Sequence, residues 1–129
     1  MNSGSPLFLT VDLVLEIHQE MIRLYGGTLG MREPGLVESA VAQGQNVYCY
    51  DNGDLFEVAA AYAYHLAESQ AFLDGNKRTG AASSLTFLEI NNVDVSRMTT
   101  HQVYEMMIKV ALKELDRKSL AVLLRTALT

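Results

Sequence analysis

Apolar residues recur at helical spacing along almost the whole chain. Leu13, Ile17, Met21 and Leu24 mark a first helix, capped by Thr10, with Asp12 in its first turn and Gly26-Gly27 at its end. Pro34 suits the first turn of a short second helix running through Val37 and Val41 to about Gln43. The pattern then changes. Val47-Tyr48-Cys49-Tyr50 precedes Asp51-Asn52-Gly53, and aromatic and β-branched residues beside an Asn-Gly turn predict a small hairpin or extended flap. Asp54 caps a strongly apolar helix from Leu55 to about Ser69. Its alanines (Ala59, Ala60, Ala61, Ala63, Ala67) permit close packing on several sides, as a central helix requires. Asp74-Gly75 breaks the pattern, and a new helix runs from about Asn76 to Ile90, stopping at Asn91-Asn92. Thr99 or Thr100 starts a fifth through Val103, Met107 and Val110, and Asp116 caps a last one with Leu120, Leu123 and Leu124. About six helices and one small β-hairpin predict an all-α bundle.

At 129 residues, the chain fits a single domain, 1–129, able to bury its own core. Hydrophobic residues make up 49% and charged residues 19%, which excludes an intrinsically disordered chain. A net charge of −5 argues against general binding to nucleic acid or an anionic membrane, where basic excess drives affinity. The lone Cys49 excludes an intrachain disulfide and, with three histidines, makes a zinc cluster unexpected. The longest apolar stretch, Val58 to Leu66, is half a membrane span and contains His65. The segment MNSGSPLFLT lacks the basic start and long apolar run of a signal peptide. A soluble, cytoplasmic protein is the expectation.

The distribution of the ten basic residues sharpens this picture. From Glu33 to Asn76 there is no Lys or Arg, while seven acidic residues fall in that stretch. Lys77 and Arg78 then stand side by side, and the next basic residue is Arg97. They belong to Gln70-Ala71-Phe72-Leu73-Asp74-Gly75-Asn76-Lys77-Arg78-Thr79, a tight loop feeding a helix N-terminus. The first amides of a helix lack backbone partners and carry the positive end of the dipole, so they bind anions. Gly75 lets backbone approach a ligand closely. Cations at a helix start oppose the dipole, which points to a negatively charged ligand, phosphate first. Asp74 is placed to hold a Mg²⁺ bridging such phosphates, and Phe72 reads as an anchor in the core. The same residues also make an ordinary turn and cap with two solvated cations, and local sequence leaves the two readings level. No Walker-type loop ending in Gly-Lys-Ser/Thr is present.

The segment resembles the signature of the Fic/Doc family, His-x-Phe-x-Asp/Glu-Gly/Ala-Asn-x-Arg, and more closely its Doc (death-on-curing) branch, in which Asn-Lys-Arg-Thr follows. Tyr25-Gly26-Gly27, Gly30-Met31-Arg32-Glu33-Pro34-Gly35-Leu36 and Asp54-Leu55-Phe56-Glu57-Val58-Ala59 are similar to further Doc blocks, in the same order. The resemblance covers about the first hundred residues. It implies an all-α Fic fold whose central helix hairpin carries the active-site loop, with Val47 to Gly53 as the flap that positions the target. By position it implies Asp74 at the Mg²⁺ site, and Gly75, Asn76 and adjoining amides as the anion hole. Lys77 and Arg78 would hold nucleotide phosphates beside Thr79.

Two departures matter. AMP-transferring Fic enzymes carry Gly after the Asn and a second Arg three residues beyond the first; here those places hold Lys77 and Ala81. That matches the Doc pattern, whose members resemble kinases moving the γ-phosphate of ATP onto a threonine of elongation factor Tu. The implied protein is a toxin of a toxin–antitoxin module, held in check by a Phd-like antitoxin. The second departure is Gln70, where the family has the His that acts as general base. A Gln amide hydrogen-bonds a hydroxyl but cannot take its proton. Losing a positioned base typically costs about 10²–10⁴-fold, so binding survives and turnover does not. Gln70 fits either an engineered silencing of a toxin or a naturally diverged chain. The alternatives are an AMP-transferring enzyme and a non-catalytic nucleotide- or partner-binding module. His65, on the preceding helix, reads as a packed histidine rather than a substitute base. His18 and His101 read as structural or surface residues, Cys49 as incidental, and Met106, Met107, Tyr62 and Tyr64 as core or near-core.

Overall fold

Most helices start where the sequence supplies an acceptor for otherwise orphaned amides. In a computed structural model that describes residues 4–129 (the first three of the expected domain lie outside it), six helices follow one another. They are α1 (Val11–Tyr25), α2 (Pro34–Asp51), α3 (Leu55–Glu68), α4 (Asn76–Ile90), α5 (Thr100–Ala111) and α6 (Arg117–Leu128). Thr10, Asp54, Thr99 and Asp116 cap α1, α3, α5 and α6 by accepting from Leu13, Glu57, Gln102 and Ser119 amides. In α3 and α5 the bond is reciprocated by Glu57 and Gln102, closing capping boxes. Helix α2 begins with Pro34, which has no amide to satisfy. Helix α4 differs: its N-cap is Gly75, with no side-chain cap and no acid in the first turn.

The core forms around α3. Val58, Ala59, Ala60, Ala61, Tyr62, Ala63, Leu66 and Ala67 are all buried, and α3 packs against α2, α4, α5 and α6. Small side chains permit this. A Cβ on Gly80 of α4 would lie 2.7 Å from the Ala63 carbonyl oxygen, so the two backbones approach closely there. On the opposite flank the Tyr62 ring lies over Gly44 of α2, where a Cβ would fall 2.3 Å from the ring. The Tyr62 hydroxyl accepts from the Leu9 amide at 3.1 Å, and burial pushes its pKa up to about 12. Tyr62 and Phe87 pack ring against ring, and Phe8 covers Phe87 from the N-terminal segment. Met106 and Met107 are buried, as expected, and Tyr64 is half-buried.

The hairpin expected at Val47 to Gly53 does not form. Helix α2 runs through it to Asp51 because Val37, Ala40, Val41, Gly44 and Val47 continue one buried helical stripe. That periodicity outweighs the strand preference of Val-Tyr-Cys-Tyr. Tyr48 leaves the helix edge-on to Phe8, at 5.6 Å, and Cys49 is exposed. Asn52 takes a left-handed conformation (φ 54°) and ends the helix, its amide and that of Gly53 both reaching the Val47 carbonyl. The Asn-Gly pair is therefore a helix stop. Among the described residues no helix is long and apolar enough to cross a membrane.

His65 is packed as expected, half-buried on α3, with Nε2 3.5 Å from the Arg117 guanidinium of α6. Arg117 also lies 3.6 Å from Asp51 at the end of α2. Burial first, and the Arg117 charge second, lower the His65 pKa. The unfolded chain, with a histidine near 6.5, then binds the extra proton more readily than the folded one. The stability from keeping His65 neutral is complete above about pH 6.5 and is lost as pH falls through the lower folded value. Urea melts between pH 7.5 and 5 should show His65→Gln with a flatter stability profile than the parent chain. Thermal melts should place Gly80→Ala about 1–3 kcal/mol below it, from overpacking against the Ala63 carbonyl.

Candidate active site

The loop between α3 and α4 turns tightly, with most of its carbonyls and the amides of Phe72 and Leu73 each held by a partner. Gln70, at φ 54°, is the left-handed residue that carries the chain out of α3. The Arg32 amide donates to the Ala71 carbonyl (2.8 Å) and the Leu73 amide to the Gly30 carbonyl (3.0 Å). These bonds flank a single antiparallel bridge between Met31 and Phe72. The Arg32 guanidinium also reaches the Gln70 carbonyl at 3.4 Å. The extended segment beside the loop is thus residues 28–32, between α1 and α2, rather than Val47 to Gly53.

Phe72 is buried, as expected of an anchor, and the His18 ring of α1 stacks on it at 3.8 Å and 9°. Asn76 clamps the same residue from the other side. Its side-chain oxygen accepts from the Phe72 amide and its side-chain nitrogen donates to the Phe72 carbonyl, both at 3.0 Å. The Asn76 side chain therefore closes the loop, and its backbone amide remains available to an anion. Asp74 is exposed; one carboxylate oxygen accepts from the Thr28 amide at 2.7 Å, which leaves the other facing no described partner. Its carbonyl accepts from His18 Nε2 at 2.8 Å.

The amides of Gly75, Asn76, Lys77 and Arg78 make no hydrogen bond among the described residues; the first α4 bond runs from Thr79 to Gly75. Lys77 and Arg78 are exposed beside them, and the Arg78 guanidinium lies over the Tyr25 ring at 5.1 Å. Thr79 departs from expectation. It is fully buried, and neither its hydroxyl nor that of Ser83 has a partner among the described residues, so its side chain faces the core rather than a ligand. Gln70 is exposed at the loop entrance, with a 3.4 Å contact from its amide to the Ala67 carbonyl.

A groove of about 520 Å³ opens from this helix start between α1, α4 and α5. Gly75 to Arg78 form one end, Ala81, Ala82, Leu85, Val103 and Met107 the apolar walls, and Tyr25 and Tyr104 the rims. Its volume suits a small ligand with one charged end. A second groove of about 490 Å³, between α5 and α6, holds His101, Glu105 and Lys109 but none of the loop residues. Among the described residues no three of His, Cys, Asp and Glu gather as a metal cage. A divalent cation at Asp74 would take this one carboxylate together with ligand oxygens and water, a donor set suited to Mg²⁺.

The structure brings Gln70, Asp74, Gly75, Asn76, Lys77 and Arg78 onto one loop and helix start, as expected, and moves Thr79 out. Sequence reasoning missed His18, Thr28, Tyr25 and Arg32 as neighbours of the loop. His18 carried one signal, as a polar residue four positions from Val14 on the buried stripe of α1, and Tyr25 and Arg32 fell within the Doc-like blocks.

The all-helical bundle presents an uncapped, cation-flanked helix start at the mouth of a groove, an arrangement chemically suited to an anion. A profile of the Fic/DOC family matches residues 8–88, and the chain belongs to that family. It is 40% identical over 83 residues, 64% of its length and 66% of the relative's, to the protein named "Protein kinase doc" of Escherichia phage P1. It is 39% identical over 100 residues, 75% of its length and 77% of the relative's, to "Toxin Doc" of Mycolicibacterium smegmatis.

The Asn76 clamp is testable apart from any ligand. Replacing Asn76 by Ala leaves the Phe72 amide and carbonyl unpaired, at a cost of about 1–3 kcal/mol. Urea unfolding should register that loss, and hydrogen exchange should accelerate at Phe72 and Leu73.

Proposed function

We propose that this chain is a Doc-type toxin, an ATP- and Mg²⁺-dependent protein kinase directed at a threonine of elongation factor Tu, with turnover crippled at Gln70. The observation that carries the reading is the uncapped α4 start. Orphan amides, Lys77 and Arg78 converge at one end of an apolar groove wide enough for a nucleotide.

In this reading the groove holds the base between apolar walls, and the amides of Gly75 to Arg78 take phosphate oxygens. Lys77 and Arg78 stabilise charge that grows on the transferred group. Asp74 would hold a Mg²⁺, which would supply charge neutralisation to the phosphates. The extended segment 28–32, pinned along the loop by the Met31–Phe72 bridge, takes the flap role. Exposed Leu29, Met31 and Leu73 offer apolar contacts to an incoming target. Phosphate transfer is favoured over AMP transfer by Ala81, a small groove-wall residue where an AMP-transferring site carries a second Arg. In the chemical step the target hydroxyl oxygen bonds to the γ-phosphorus, the bond from that phosphorus to the β,γ-bridging oxygen breaks and ADP leaves, and the hydroxyl proton must pass to a base. Gln70 cannot accept that proton, so the chain binds more readily than it turns over. The same residue favours one second reading, a non-catalytic module that regulates by occupancy. A Phd-like antitoxin is the partner assigned to the toxin reading, and co-purification with the neighbouring gene product tests it.

Gln70→His should raise ATP-dependent modification of elongation factor Tu by about 10²-fold or more, read as a phosphothreonine by mass spectrometry. Neither phosphate nor AMP transfer by that variant, with growth unaffected, would sink the enzyme reading in favour of the binding module. Lys77→Ala and Arg78→Ala should each weaken ATP binding about 10- to 100-fold in calorimetry, the value of a charge-assisted contact of about 1.5–3 kcal/mol.

A further inference from the structure

We infer that His18, on α1 and outside the loop, is a positioning residue that aims the Gly75 amide into the anion site. The inference rests on the nucleotide reading of that site. His18 is 2% exposed, and its Nε2 lies 2.8 Å from the Asp74 carbonyl oxygen. A carbonyl only accepts, so Nε2 carries the hydrogen and donates it.

The bond acts on a single peptide plane. In a trans peptide the C=O and N–H point in opposite directions, so holding the Asp74 carbonyl against His18 turns the Gly75 N–H away from α1. That N–H has no partner among the described residues. Without the donor the plane is free to turn over, because Gly75 (φ 77°) accepts both signs of φ at little cost. Rotation would bury the amide and present a carbonyl oxygen to the anion, exchanging attraction for repulsion. The stack of His18 on Phe72 fixes the donor in its turn, since Phe72 is itself held by Asn76. The arrangement also leaves little room: a Cβ on residue 75 would fall 3.3 Å from Ile22 and 3.8 Å from the His18 ring.

Two variants separate aiming from packing. His18→Phe keeps a ring on Phe72 and lacks the donor, whereas His18→Gln returns an amide donor at about the reach of Nε2. Both are compared with the parent chain for thermal stability, ATP·Mg²⁺ binding by calorimetry, and backbone hydrogen exchange without ligand. Aiming predicts that His18→Phe folds, binds ATP at least 10-fold more weakly, and exchanges more slowly at Gly75, whose amide turns inward, with α3 and α6 unchanged. His18→Gln should stay within about 3-fold of the parent in both measurements.

Equal ATP binding and equal loop exchange in the parent and His18→Phe would overturn the inference. So would His18→Gln that folds yet loses as much as His18→Phe, since packing alone would then account for both. If His18→Phe does not fold, the His18→Gln comparison decides. If the parent chain binds no ATP, the nucleotide reading fails, and loop exchange in the two variants still decides whether His18 holds the peptide.

Discussion

The carbonyl of Ala63 occupies the space where a side chain on residue 80 would begin, and the geometry of the site follows from that contact. With Gly80 opposite a run of alanines, α3 and α4 meet backbone to backbone. Two helices so close need a short, sharply bent connection, and residues 69–75 supply it. The bend requires left-handed backbone at Gln70 and again at Gly75. A connection with two such residues cannot satisfy its own polar groups as a helix would, so they turn outward to whatever lies alongside.

What lies alongside is α1 and the segment after it. Thr28, Gly30, Arg32 and His18 take up the loop's side-chain and backbone groups one by one, and Asn76 closes the loop on itself. The amides at the start of α4 are left over. At α1, α3, α5 and α6 a Thr or Asp satisfies one of them. At α4 the sequence places Gly at the cap and two cations just inside, so local charge raises the positive potential that a cap would relieve. A stretch tuned only for helix stability would carry the opposite signs. The stability of this end depends on the loop clamps, which frees the amides for a ligand.

Much of this was legible in the residues. The caps Thr10, Asp54, Thr99 and Asp116, the alanine surface of α3 and the limits Asn76 and Ile90 are local signals, and each sits where its chemistry places it. The lapses were non-local. Val47 to Tyr50 has strand-like composition, but Val47 lies on the buried stripe begun at Val37, and burial decides between the two. The residue type of Asn76 does not announce that its carboxamide closes on both polar groups of Phe72. Thr79 follows the loop in sequence, yet one helical turn carries it to the face that packs in the core. His18 stands 56 positions from the carbonyl it holds, and no window along the chain contains both.

The side chain of exposed Gln70 takes almost no part in these clamps. Its backbone conformation belongs to the loop, but its side chain makes only a long contact to the Ala67 carbonyl. Left-handed backbone at a non-glycine residue is accepted comparatively well by His, as by Asn and Asp. Exchanging the side chain at this position therefore leaves the hydrogen bonds of Asp74, Phe72 and Asn76 untouched, and with them the orientation of the α4 amides. In the proposed reading, anion binding and proton removal thus rest on different atoms of one short loop. The first is set by backbone direction and by the fold behind it, the second by a single exposed side chain. A chain of this architecture can lose turnover while its binding geometry stays intact.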